Sequence, residues 1–119
     1  MVNSLNLYYW SKWNKCRLVR ELLLQEEIKF EERDIFLNPL NETDISELFG
    51  SGSASKIFSN RSPSVKKMGI NPDSLTEVEM IRLMSYEPRL IKRPIVVLDG
   101  VIFAGINENS LKEELHKKV

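Results

Sequence analysis

Cys16 is the only thiol in the chain and His116 the only imidazole, and these two residues bound the side-chain chemistry available. A single cysteine makes no intrachain disulfide, no four-cysteine zinc site and no iron–sulfur cluster held by this chain alone. A single histidine does not supply a multi-His metal centre. A Ser-His-Asp triad would have to use His116, three residues from the end. No metal is therefore expected. Lys12, Lys15, Arg17 and Arg20 surround Cys16 in sequence and would favour its thiolate if the side chain were exposed. Cys16 also shares helical spacing with Val19 and Leu23, which would point it into a core as a small hydrophobe. Both readings stay open: a packing group, or a single-thiol site that is glutathionylated or forms an intermolecular disulfide. Trp10 and Trp13 flank this place. Trp10 ends an apolar run and reads as core. Trp13 sits in a polar turn and reads as exposed, where the pair would form an apolar lip for a partner peptide or glutathione.

The scaffold that must position these groups is small. The 119 residues support one domain, and 42% hydrophobic content is that of a folded chain. Seventeen Lys and Arg balance seventeen Asp and Glu, which argues against a direct nucleic-acid or membrane-surface binder. The balance hides an asymmetry. Residues 1–20 hold four basic side chains and no acidic ones, whereas residues 21–50 hold nine acidic ones with only Lys29 and Arg33. Residues 51–93 hold eight basic against four acidic. The start, Met1 to Tyr9, lacks a basic region followed by an apolar run, and no stretch approaches a membrane span. No leader is expected, and a lone cysteine then fits a reducing cytoplasm.

Hydrophobic periodicity predicts a mixed α/β order. Leu5 to Trp10 reads as a buried strand, and Lys15 to Glu27 as a helix that Ser11 or Asn14 could cap. Ile28 to Ile35 alternates loosely and reads as a second strand. Asn41 or Thr43 caps a helix through Leu48, before the loop Gly50-Ser51-Gly52-Ser53. Short helical pieces are expected at Ser55–Phe58 and Ser64–Met68. Thr76 and Glu79 form a capping box for a helix through Tyr86, which Pro88 stops. Ile95–Leu98 and Val101–Ala104 read as a hairpin about Asp99-Gly100, and Asn107 caps a last helix to Lys117. A βαβ unit followed by ββα is the thioredoxin plan, with its first two strands parallel. The fold class expected is α/β: a thioredoxin-like, glutaredoxin-like four-stranded mixed sheet in a single domain, 1–119, with a helical insertion over about 41–87.

Four stretches, in order along the chain, carry a resemblance to the arsenate reductase/Spx family. Tyr9-Trp10-Ser11-Lys12-Trp13-Asn14-Lys15-Cys16-Arg17 resembles its strand–loop–Cys-x-x-Cys-Arg opening. Phe30-Glu31-Glu32-Arg33-Asp34-Ile35-Phe36, continuing to Pro39-Leu40, resembles the Spx branch, as does Phe58-Ser59-Asn60-Arg61-Ser62. Pro88 to Val97, with Arg93-Pro94 at its centre, resembles a segment that both branches share.

The resemblance implies roles for named positions. The first cysteine of the motif, the nucleophile of arsenate reductases and half of the Spx redox disulfide, falls at Trp13, and Cys16 takes the second position. Trp13 can neither attack an oxyanion nor form a disulfide. Arginines hold the oxyanion in arsenate reductases, since guanidinium pairs with tetrahedral oxyanions. Arg93 matches one of these. Another falls at about Ser59, with Arg61 two residues further on, and another near Gly105. These departures argue against arsenate reduction. Pro94 matches a proline whose preceding peptide is cis and packs against the loop of Trp13, Asn14, Cys16 and Arg17. The Spx branch implies binding of the C-terminal domain of the RNA polymerase α subunit. The docking surface implied includes Arg61, Lys92 and Arg93, with Lys66 and Lys67, beside a loop whose glycine falls at Ser53, next to Gly52. A degradation signal on the longer Spx tail would be missing from a chain that ends at Val119. The expectation is a monomeric Spx-like regulator without a cofactor. The alternative is a reductase or monothiol oxidoreductase that uses Cys16 with glutathione or glutaredoxin.

Overall fold

Leu5, Leu7 and Tyr9 alternate inward along the first strand, β1 (Leu5–Tyr9), and all are buried. That alternation is the period-2 signature of a strand with one face against a core. The computed structural model describes residues 2–50 and 52–118; Met1, Ser51 within the Gly50–Ser53 loop, and Val119 lie outside the described residues. β1 is central in a four-stranded sheet of order β2-β1-β3-β4. It pairs in parallel with β2 (Glu31–Asp34) and antiparallel with β3 (Ile95–Leu98). β3 then pairs antiparallel with β4 (Val101–Ala104). This is the mixed sheet of a thioredoxin-like α/β fold.

Helix α1 (Asn14–Gln25) joins β1 to β2, and α5 (Glu108–His116) follows β4. Their apolar stripes, Cys16, Val19 and Leu23 on α1 and Leu111 and Leu115 on α5, share one core cluster with Leu5, Leu7, Tyr9, Val96 and Leu98. Burying each such aliphatic side chain contributes about 1.5–3 kcal/mol, so this layer is the main cohesive element of the sheet. A polar clamp reinforces it. The Tyr9 hydroxyl donates to Glu32 at 2.7 Å, and Arg20 of α1 donates to the same carboxylate from Nε at 2.9 Å and Nη2 at 3.2 Å. The hydrogen bond from Arg20 is the main cause holding Glu32 below the usual carboxylate range.

The hairpin turn between β3 and β4 places Asp99 at φ 48° and Gly100 at φ 84°, both in the left-handed region that a primed two-residue turn requires. The Asp99 carboxylate also accepts from the backbone N–H groups of Asn3 and Ser4, each at 2.8 Å, and so ties the start of β1 to the turn. Asn107 caps α5 by accepting from Ser110 N–H at 2.8 Å.

The chain divides into two compact units, 1–38 with 93–119, and 39–92. The second lies in sequence between β2 and β3. It contains α2 (Glu42–Phe49), α3 (Pro63–Lys67) and α4 (Glu77–Tyr86), with short 3-10 turns at Ala54–Lys56, Pro72–Ser74 and Pro88–Leu90. Capping boxes open α2 (Asn41 with Asp44) and α4 (Thr76 with Glu79). Its own buried residues include Leu40, Ile45, Ile57, Phe58, Met84 and Leu90. Among the described residues, no helix is long and apolar enough to cross a membrane.

Two local expectations need correction. The second strand begins at Glu31, not Ile28. The end of α1 takes the intervening residues: Glu27 adopts φ 55°, its N–H bonds to Leu24 O, and the Ile28 N–H reaches back to Leu23 O. That is a Schellman closure with glutamate in the place glycine usually fills, and it spends the amide of Ile28 on the helix end. Neither Ser11 nor Asn14 caps α1. Trp13 occupies the N-cap position without a side-chain cap bond, and Ser11 N–H donates instead to Asp34 at 3.1 Å.

Replacing Leu23 with alanine empties a site of 0% exposure in the core layer. It is expected to lower unfolding free energy by about 2–5 kcal/mol. Thr76→Ala, which removes only the cap of α4, is expected to cost about 1 kcal/mol. Urea denaturation followed by circular dichroism measures both.

Candidate functional site

The parallel pairing of β1 with β2 aligns Tyr9 with Asp34. The residues that leave both strands therefore emerge at one end of the sheet. Trp10 follows β1 and Phe36 follows β2, and their rings stack at 4.5 Å between centroids with 21° between planes. β3 enters at the same end, because Ile95 is the partner of Tyr8. The residue two before Ile95 is Arg93, joined to Pro94 by a cis peptide bond.

Arg93 is the centre of this end. Its Cζ lies 4.2 Å from the Trp13 ring centroid, 5.1 Å from Phe36 and 5.5 Å from Trp10. Aromatic faces carry negative quadrupole charge and attract guanidinium, with each contact worth about 0.5–2 kcal/mol according to its desolvation. The expected proximity of the Arg93-Pro94 element to Trp13 is thus met by side-chain stacking. Trp13 remains 38% exposed. Trp10 is half-buried and packed on Phe36 rather than within the core cluster, which departs from its reading as a core residue.

Cys16 faces away from solvent. Its exposure is 0%, and it packs in the layer with Val19, Leu23 and β1. Burial pushes its thiol above the ordinary value, against the backbone of Trp10 and the charges of Arg93 and Lys15, which act to lower it. Desolvation outweighs the nearby positive charge because the thiolate would lie in an apolar layer. Asn14 is exposed as the first residue of α1, and Arg17 is exposed on its outer face. Lys15 donates to Gly105 O at 2.7 Å, which links α1 to the residue after β4. His116 is 59% exposed, with Nε2 3.6 Å from the Glu26 carboxylate on the surface.

The remaining expected site residues belong to the unit 39–92. Gly52 is exposed, and a Cβ added there would meet Phe49 O at 3.1 Å. Ser53 caps the following 3-10 turn, and the Ala54 N–H at its start donates to the Glu77 carboxylate. Arg61 is exposed just before Ser62, the buried cap of α3. The Lys92 N–H donates to Ile57 O at 2.8 Å, beside a bridge between Phe58 and Ile91. Asn14, Cys16, Trp13, Arg17, Arg93 and Pro94 all lie in the first unit. Among the described residues, no group of His, Cys, Asp and Glu could hold a metal ion.

Phe36 and Leu37 belong to the aromatic end but were not singled out as site residues from the sequence. The signal that finds them is topological: two parallel strands deliver their following residues to one end of the sheet.

Because the folded chain keeps the Cys16 thiol protonated longer than the unfolded chain does, its stabilising contribution is fully present below the unfolded thiol's pKa of about 8.5. It is lost as pH rises from there through the higher folded-state value. Denaturation between pH 7 and 10 is expected to show this decline, with a shallower slope in Cys16→Ala. A thiol reagent at neutral pH is expected to modify Cys16 only as fast as the core opens.

With this geometry in view, comparison with known proteins is specific. The ArsC family model matches residues 8–113. The global transcriptional regulator Spx of Bacillus subtilis is 31% identical over 115 residues, covering 95% of this chain and 88% of that protein. A possible arsenate reductase from Streptococcus mutans has 25% identity and a TM-score of 0.74, over 94% of this chain and 97% of that one. An arsenate reductase from Vibrio cholerae shares the fold at a TM-score of 0.79 with 20% identity, over 95% and 98% of the two chains. A family match over residues 8–113, which includes the end of β1, all of β2 and the Arg93-Pro94 element, makes this chain a member of the ArsC family.

Proposed function

We propose that this chain is an Spx-like regulatory protein that acts by binding the C-terminal domain of the RNA polymerase α subunit and lacks the two-cysteine redox switch. The observation that carries this reading is the contact between Trp13 and Arg93. Trp13 stands at the position of the family's first cysteine, and its ring lies 4.2 Å from the guanidinium carbon. A redox site there would need a thiol that reaches solvent, and an oxyanion site would need guanidinium donors turned to the substrate. Here the same space is filled by an indole, which offers surface rather than reactivity.

The burial of Cys16 supports the same reading over its alternative. A reductase would need that sulfur to attack a substrate or glutathione, and at 0% exposure it has no approach without opening of the core. The likeness to Spx regulators over 95% of the chain adds weight to a role in transcription. The exposed Arg61 and the Gly52–Ser53 loop supply the kind of basic and backbone features that the Spx resemblance assigns to docking.

Titration calorimetry tests the proposal, with the C-terminal domain of an RNA polymerase α subunit that binds authentic Spx. Binding is expected, with an affinity that hydrogen peroxide treatment leaves unchanged and that Cys16→Ala leaves within about twofold. No binding, while the Spx control binds under the same conditions, removes the regulator reading. Arsenate or disulfide reductase activity that depends on Cys16 would replace it with the enzymatic one.

A further inference from the structure

We infer that the aromatic end of the sheet, formed by Trp10, Trp13 and Phe36 around Arg93 with the exposed Leu37 next in sequence to Phe36, docks an acidic peptide segment that carries an apolar side chain. The inference rests on reading this end as a partner-binding surface and adds the chemistry of the segment it accepts. It does not depend on the partner being RNA polymerase.

The apolar part of the argument begins with Leu37, which is 84% exposed. A single exposed leucine is ordinary, but the backbone of this one is held in place and it follows Phe36 directly in the chain. Its N–H donates to Asp34 Oδ1 at 3.3 Å, and the neighbouring Phe36 N–H donates to the same oxygen at 2.9 Å. Arg33 Nε donates to Asn38 O at 2.9 Å on the other side of the turn. The loop that displays Leu37 is therefore bonded on both sides. Phe36 is stacked on Trp10, and Arg93 fixes both rings with respect to Trp13. A surface already ordered loses little conformational entropy when a partner settles on it. Trp and Arg in such a cluster are the residue types that dominate binding energy at protein interfaces.

The charge of the occupant follows from the rim. Lys12 and Arg17 are exposed beside Trp13 in sequence, and residues 1–20 carry no acidic side chain. The first turn of α1 contains no acidic residue, and no side chain caps it, so the positive end of its dipole adds to the same field. Asp34 lies nearby, but its carboxylate is directed to the backbone amides of Ser11, Phe36 and Leu37. An acidic segment complements this potential and a basic one opposes it.

The test uses the full chain and a fluorescein-labelled synthetic peptide of aspartate and glutamate residues around a central Phe-Leu pair. A second peptide carries lysine at every acidic position, and a labelled oligothymidylate serves as the nucleic-acid probe. Anisotropy is expected to rise with the acidic peptide alone, and the affinity to fall as salt is raised. Leu37→Glu is expected to weaken binding by about tenfold or more, the loss of one well-packed anchor. Val101→Glu, at an exposed apolar residue beside the hairpin turn at the other end of the sheet, is expected to leave binding unchanged. Equal binding of the two peptides, binding of the oligothymidylate alone, no binding of any probe, or full affinity in Leu37→Glu would overturn the inference. Its failure separates from that of the regulator reading. Polymerase-domain binding without acidic-peptide binding removes only the inference, and acidic-peptide binding without polymerase-domain binding removes only the regulator reading.

Discussion

The central position of β1 is the constraint from which the first unit is built. Flanked by β2 and β3, it is a strand with no free edge, so its backbone hydrogen bonds are satisfied on both sides. Its inward residues Leu5, Leu7 and Tyr9 then define the surface that α1 and α5 must cover. The helix that leaves β1 can lie on that surface only by turning its apolar stripe down. Cys16 belongs to that stripe with Val19 and Leu23. Packing therefore decides the state of the thiol before any question of chemistry arises.

The same constraint leaves Trp13 outside. It sits at the N-cap of α1, beyond the last residue of β1, where no core layer is available to it. Arg93 reaches this place from the start of β3. A guanidinium surrounded by rings trades part of its hydration for quadrupole attraction, and the rings gain a rigid neighbour. The outcome is a surface held in shape by cation–π and stacking contacts. An indole at this position offers apolar surface where a thiol would offer a nucleophile. That difference underlies the regulator reading, whereas the proposed acidic occupant rests on the charges around the rings.

Local elements with self-contained signals were legible in the sequence. The Asp99-Gly100 turn, the strands on either side of it, the capping box at Thr76 and the cap at Asn107 all appear where the residue pattern places them. Each depends on groups only a few residues apart, so the information is local. The start of β2 was not legible. Ile28 and Phe30 alternate like strand residues, yet Ile28 is bonded into the end of α1 through a left-handed Glu27 that no propensity rule favours. The position of Trp10 was not legible for a related reason. An aromatic residue at the end of an apolar run looks like core until the partner strand delivers Phe36 beside it.

What the amino-acid sequence determined by itself is mostly exclusion and order. One cysteine rules out an internal disulfide, and the succession of periodic segments specifies a mixed sheet with helices between its halves. Whether Cys16 is exposed or buried was open, because the same spacing placed it beside basic residues and in register with a helical core stripe. Only the tertiary structure decided that point, since desolvation of a thiol depends on what packs over it. It also decided that Trp10, Trp13, Phe36 and Arg93 form one cluster. Phe36 and Arg93 are far in the chain from Trp10 and Trp13, and it is the pairing of β1 with both β2 and β3 that brings their ends together.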